Sequence, residues 1–231
     1  MPDLQALARG YRILGMNGIG LGLLAHLTLR EPGGQTFWSY QFGESVEEVT
    51  PDSLREVDFD LQVLSGGGAV NRNLRIHSEI YAARPDVTCI VHHHGGDAIA
   101  LGAIGANVFP YDRNAARWHG AIDLVDDNES PVLAQQGASI AAALGGRKAL
   151  LLKHHGVLVT GPNLQDVVVA TIELERVCGV QLRAMAAGSL HRIPDAEIED
   201  AKATLGSQRI ADGYWDYYCR RLARVGLDID R

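Results

Sequence analysis

Apolar residues recur along this chain with two periods, and the switches between them mark out its elements. Over residues 3–16, Leu4, Leu7, Ala8, Tyr11 and Leu14 fall at helical spacing behind Asp3, a residue type that caps helix N-termini. Past a glycine-rich run at 15–22, residues 26–30 alternate as a strand does and 31–35 read as a turn. Residues 36–42 are a second run of β-formers, so the pair predicts a hairpin. Thr50 and Pro51 mark a helix start, and 56–64 return to strand character. In 71–84 the spacing of Leu74, His77, Ile80 and Tyr81 predicts a helix with His77 and Tyr81 on one face, stopped before Pro85. Residues 89–91 are a short apolar run, read as a buried strand leading into three consecutive histidines. Beyond it the pattern predicts a helix at 97–106, an extended piece at 108–112 and a loop of low periodicity at 114–133. A helix at 135–144 comes next, then strands at 149–155 and 156–161 and a long helix at 163–187. Helical stretches at 195–207 and 213–224 end the chain. No repeat, low-complexity segment or linker interrupts this order, which predicts one α/β domain over 1–231.

The bulk properties narrow the classes. A chain of 231 residues, 46% hydrophobic and 21% charged, is long and apolar enough to bury a core rather than remain disordered. A formal net charge of -7 sets nucleic acid aside as a general partner, because neutralising phosphates needs a basic face. No run of about 18 apolar residues is present, so no membrane span is expected. The N-terminus lacks the basic-then-apolar layout of a signal peptide. Cys89, Cys178 and Cys219 are scattered, odd in number and without a CxxC, which fits packing roles in a reducing cytoplasm.

Candidate chemistry concentrates at the histidines. Side chains alternate along a strand, so His92 and His94 point one way and His93 the other. Two imidazoles one strand step apart reach a single metal ion at roughly 2.0–2.1 Å. A third ligand must come from elsewhere, and Lys153-His154-His155-Gly156 follows another apolar strand. A solvated turn or a tag would also give a histidine triplet, but this one is internal and follows a core strand. Glu79 stands about 200° around the helix from His77 and reads as a surface carboxylate. The glycine run at 15–22 matches neither common phosphate-loop pattern. The 114–133 loop carries Arg117, His119 and several acidic residues, as a loop over a site or a solvated surface loop would.

In chain order, His77-Ser78-Glu79-Ile80-Tyr81, Arg84-Pro85-Asp86-Val87, His92-His93-His94, Lys153-His154-His155-Gly156, Gly161-Pro162-Asn163-Leu164 and Glu173-Leu174-Glu175 resemble the class II aldolase/adducin family. The resemblance covers roughly residues 10–187. That family includes fuculose-phosphate and rhamnulose-phosphate aldolases, ribulose-phosphate 4-epimerases and several decarboxylases of hydroxylated aromatic acids. The resemblance implies that His92, His94 and His155 bind a divalent metal, usually zinc or manganese. It implies an α/β fold with a central, mostly antiparallel sheet sandwiched by helices, and homotetramers with sites at subunit interfaces. The C-terminal segment, about 195–231, is then expected to pack at such an interface. Tyr214 and the aromatics after it would reach a neighbour's site there or simply fill the contact.

The departures redirect the chemistry. Where the sugar-phosphate aldolases carry a Glu as metal ligand and general acid/base, this chain has Asn73, which carries neither proton nor charge. Their phosphate-binding Asn is replaced by His26, and the pair before the acidic position reads Asn71-Arg72. An unphosphorylated substrate follows, and the pattern is similar to the adducin-like bacterial branch. Decarboxylation survives the loss of the carboxylate best, because carbon dioxide leaves without a base and one acid then protonates the carbanion. His119, Tyr111, Asp112 and His77 are the candidate acids, and Arg30, Arg72 and Arg117 the candidate carboxylate clamps, with His26 and Tyr214 also in contact with substrate. The expectation is a metal-dependent lyase acting on a small carboxylated hydroxy- or oxo-compound. Three alternatives stand beside it: an iron oxygenase using the same three histidines, a sugar-phosphate aldolase or epimerase, and a metal-free binding module.

Overall fold

Helix α1 (Leu4–Met16) begins where the Asp3 carboxylate accepts a hydrogen bond from Ala6 N–H at 2.9 Å, and it buries Leu7, Tyr11 and Leu14 on one stripe. The computed structural model describes residues 2–20, 22–23, 25–126 and 134–229. Strands β1 (Ala25–Leu29) and β2 (Thr36–Tyr40) form the expected hairpin. A single 3₁₀ turn (Pro51–Ser53), not a longer helix, leads into β3 (Leu54–Asp58). That strand starts and stops earlier than its sequence suggests. Asp58 Oδ1 accepts from Asp60 N–H at 2.9 Å and Gln62 N–H at 2.8 Å, which folds the chain back so that Val63 bridges Val57.

A second 3₁₀ turn (Arg72–Leu74) opens α2 (Arg75–Ala83), which is followed by β4 (Cys89–His93) and α3 (Gly96–Ala103). The stretch expected to be a loop holds α4 (Arg113–Ala116) and β5 (Ile122–Val125), while its last residues, 127–133, lie outside the described residues. Next come α5 (Ala134–Leu144), β6 (Ala149–Leu152) and β7 (Gly156–Gly161). Strand β6 ends at Leu152, and residues 153–155 are a turn rather than its continuation. Then follow α6 (Leu164–Ala187), α7 (Asp195–Leu205) and α8 (Gln208–Arg224), the last beginning earlier than expected because Gly213 is accommodated inside it.

Among the described residues the strands form one sheet in the order β3-β2-β1-β4-β7-β6-β5, antiparallel throughout except β5 with β6. Alternation sorts the side chains of β4 onto two faces. Cys89 and Val91 pack with residues of α1, α3, α6 and α8, and Ile90 packs with residues of α2 and α5. The expected sheet between helix layers is therefore present. Register also fixes its two ends. Ala25 lies beside His93 and Leu152 beside Gly156, so the start of β1, the ends of β4 and β6 and the start of β7 share one end. Leu29 lies beside Cys89, and Ile122 beside Ala149, at the other. No helix among the described residues is long and apolar enough to cross a membrane.

Candidate metal centre

Three histidines converge at the first of these ends. His92 is in β4, His94 just beyond it, and His155 closes the turn between β6 and β7. One nitrogen from each lies within 4.8 Å of the others, with His92 Nε2 and His94 Nε2 3.2 Å apart. The three ring centroids are separated by 4.9, 5.0 and 5.0 Å. Tetrahedral coordination at 2.0–2.1 Å puts ligand nitrogens roughly 3.4 Å apart, so the cluster needs little adjustment to hold an ion. His92 Nδ1–H donates to the Val157 carbonyl at 3.1 Å, which leaves Nε2 with its lone pair toward the centre. Burial, then repulsion from His94, holds the His92 pKa well below its ordinary value. Burial, then His155, lowers that of His94. Neutral imidazoles are the state a metal requires, and the donor set fits a divalent ion with open positions.

Glycines and one carboxylate fix the surrounding backbone. A Cβ on Gly156 would lie 2.4 Å from His93 O and 2.7 Å from His94 Cδ2, so only glycine lets β7 start beside His94. Glu175, from α6, accepts from Asp97 N–H at 2.8 Å and Ala98 N–H at 3.3 Å. It thereby caps α3 two residues after the histidine triplet. Nothing but the Glu-Leu-Glu pattern singled Glu175 out in the sequence, and that pattern carried no hint of this contact.

Behind the triad lies a second histidine pair. His26 is the Cα partner of His92 across β1 and β4, with its ring centroid 6.0 Å away, and His77 from α2 lies 6.1 Å beyond His26. Thr28 Oγ1 sits 2.8 Å from His77 Nδ1 and 2.7 Å from Tyr81 Oη, so β1 anchors the helix face that His77 and Tyr81 share. Burial, with His94 and His155 adding to it, pushes the His26 pKa down to about 4. Asn73, half-buried, and Arg72, exposed, lie in the 3₁₀ turn that opens α2, one turn before His77.

The remaining candidates lie elsewhere in the chain. Arg30 follows β1 at the opposite end of the sheet, where its buried guanidinium donates to the Val87, Tyr81 and Arg84 carbonyls at 2.8, 2.9 and 2.6 Å. It braces backbone and is not a clamp for substrate. His119 precedes β5, so the parallel register of β5 with β6 places it at the end away from His155, exposed to solvent. Tyr111 donates to Val177 O at 2.9 Å and Arg117 pairs with Glu173, both on α6, across the sheet from His77. Tyr214, exposed, sits on α8 in that same layer.

Residues 5–182 match the Class II Aldolase and Adducin N-terminal domain family. The chain is 32% identical, over 85% of its length and 72% of the relative's, to the 4-hydroxy-3-prenylphenylpyruvate oxygenase/4-hydroxy-3-prenylbenzoate synthase of Streptomyces roseochromogenus subsp. oscitans. It is 32% identical to Decarboxylase NovR of Streptomyces niveus, over 85% of this chain and 73% of that one. Among solved structures, L-fuculose 1-phosphate aldolase from Glaciozyma antarctica PI12 superimposes with a TM-score of 0.85 at 28% identity, covering 96% of this chain and 90% of that one.

Proposed function

The chain belongs to the class II aldolase and adducin family, and on that premise we propose that it is a divalent-metal-dependent lyase breaking a carbon–carbon bond of an unphosphorylated hydroxy- or oxo-carboxylic acid, hydroxyaromatic acids included. Decarboxylation stands ahead of retro-aldol cleavage. The observation that carries this reading is the convergence of His92, His94 and His155, with Asn73, not a carboxylate, in the turn that opens helix α2. Relatives named as a decarboxylase and as a benzoate synthase support it.

His92, His94 and His155 would hold a zinc or manganese ion, and that ion would supply Lewis acidity toward a substrate oxygen. The chain's own residues do the rest. To Arg72, exposed near the start of α2, we assign the pairing with a substrate carboxylate. Asn73 offers an amide that orients an oxygen but moves no proton. Retro-aldol cleavage begins by taking a hydroxyl proton, for which Asn73 is unsuited, whereas loss of carbon dioxide requires only protonation of carbon afterwards. His94 and His155 are half-exposed, so water has access to deliver that proton. We assign the activity to a homotetramer in the cytoplasm, with the exposed tyrosines of α8 at a subunit contact.

The name of the Streptomyces roseochromogenus relative favours a second reading, in which iron occupies the same triad and dioxygen is consumed. Elemental analysis of protein purified without chelator, with activity on a panel of hydroxylated aromatic and aliphatic acids measured with and without oxygen, decides between them. Zinc or manganese with oxygen-independent release of carbon dioxide or an aldehyde is the expected result. Iron with oxygen-dependent turnover selects the oxygenase, turnover of sugar phosphates alone selects the aldolase, and absence of bound metal leaves a binding module.

A further inference from the structure

Three ring nitrogens behind the histidine triad have no partner among the described residues. His26 is 2% exposed and His77 0%, and His26 Nδ1, His26 Nε2 and His77 Nε2 take no hydrogen bond among the described residues. Buried polar atoms are costly to leave unpaired, and their grouping beside a candidate reaction centre marks a place built for a ligand atom. The two rings are T-shaped, at 72°, with centroids 6.1 Å apart. An oxygen atom seated between the two rings has an unpaired nitrogen of each ring to bond, among the described residues.

The pair's surroundings select among oxygens. A neutral imidazole presents one N–H and one lone pair. His77 Nδ1 is bonded to Thr28 Oγ1, which is in turn bonded to Tyr81 Oη, and Tyr81 also donates to the Thr88 carbonyl at 3.2 Å. Tyr81 has one proton, and with it on the Thr88 carbonyl Thr28 donates to Tyr81 Oη and accepts from His77 Nδ1–H, so His77 Nε2 presents its lone pair. The nearest cation on this strand, Arg30, is turned away into three carbonyls. A carboxylate only accepts and would leave the lone pairs facing it unpaired. A protic oxygen donates to one ring and accepts from the other.

We propose that His26 and His77 form a specificity subsite for a hydroxyl group, phenolic or alcoholic, on the molecule that reaches the metal triad. Only the description of that molecule as a substrate rests on the lyase reading. The subsite explains how a site without a phosphate-binding residue discriminates: a position built to bond a hydroxyl rejects the analogue lacking it, because its own buried groups are then stranded.

Calorimetric binding of matched probes to the zinc-loaded protein tests this. The probes are 4-hydroxybenzoate against benzoate and lactate against propionate. Within at least one pair the hydroxylated member is expected to bind roughly 10–100-fold tighter. His26→Phe is expected to bring that ratio near one while metal content stays unchanged, and His26→Gln, which keeps a donor and an acceptor, to restore part of it. His77→Phe gives the same loss by an independent route if His26→Phe fails to fold. Equal affinities within both pairs, no binding of any probe up to its solubility limit, or a preference that survives both Phe variants would overturn the proposal; equal affinities would mean the nitrogens hold only water. Turnover does not enter. A hydroxyl preference without carbon dioxide or aldehyde release leaves the subsite standing and removes the lyase, and the reverse result does the opposite.

Discussion

His92 Nδ1 and the Val157 carbonyl oxygen lie 3.1 Å apart, across the β4–β7 pairing that also sets His92 opposite Leu158. The metal face of His92 is thus fixed by a backbone ladder rather than by another side chain. Because Nδ1 spends its proton on that carbonyl, Nε2 is the nitrogen left facing His94 Nε2. The triad is preorganised by the sheet.

If the sheet sets the geometry, removing one ligand should cost the metal and not the fold. His94→Ala is expected to lower bound metal from one equivalent toward zero by elemental analysis, to abolish turnover and to leave the circular dichroism spectrum of the apoprotein unchanged. Half-exposed, His94 contributes little to the core, so apoprotein stability should change by less than about 1 kcal/mol. Metal retained at full stoichiometry would remove His94 from the ligand set.

Gly156 tests the same geometry from the backbone side. A methyl group there meets His93 O at 2.4 Å and His94 Cδ2 at 2.7 Å, so Gly156→Ala must push β7 or the His94 ring aside. We expect metal affinity to fall by roughly 10–100-fold, as for other losses of ligand support, and stability to fall by about 1–3 kcal/mol. Gly146→Ala, where nothing lies within 4 Å, is the control and should change neither. Competition titration with a chromophoric chelator reads the affinity.

Much of this was legible in the sequence, for local reasons. Period two puts His92 and His94 on one face, and Asp3 announces α1 because a short carboxylate beside free N–H groups is a local device. What was not legible depends on distant partners. Strand β5 has four residues, one of them a half-buried Asp123, and exists only because β6 pairs with it. Arg30 looks like an anion clamp until three carbonyls from residues more than fifty positions later fill its guanidinium. Tyr111, Arg117 and His119 have suitable chemistry, but only the topology assigns them to another layer or the other end of the sheet.

His154 sits between Lys153 and His155 with φ of 60°, a left-handed conformation that a side chain bearing a Cβ adopts at a cost. It is exposed, so little opposes its replacement. His154→Gly should relieve strain of about 1–2 kcal/mol against the added freedom of glycine in the unfolded chain, for a net gain of roughly 0.5–1 kcal/mol. Urea denaturation measures the gain, and metal stoichiometry should stay at one because the neighbouring ligand keeps its backbone path. A loss of stability would show that the His154 side chain holds something in place.

The buried histidines also predict how the apoprotein responds to acid. Burial lowers the pKa of His26 to about 4 and of His93 to about 3, and holds those of His77 and His92 well below the ordinary value. In the unfolded chain each takes a proton near pH 6.5. The folded protein binds fewer protons below that pH, so these groups leave stability unchanged above about 6.5 and reduce it as pH falls. Each contributes a slope of up to about 1.4 kcal/mol per pH unit, persisting until its folded pKa is reached, near 4 for His26 and near 3 for His93. Chelator-treated protein unfolded in urea from about pH 7.5 to about pH 4.5 should lose stability steeply below 6.5. His93 faces away from the triad with both ring nitrogens buried and unpaired among the described residues, so His93→Phe removes one of these protons without touching a ligand. Its slope should be shallower by up to about 1.4 kcal/mol per pH unit, with metal binding retained. An unchanged slope would mean that His93 is already solvated or paired in the folded protein, and that burial does not hold it neutral.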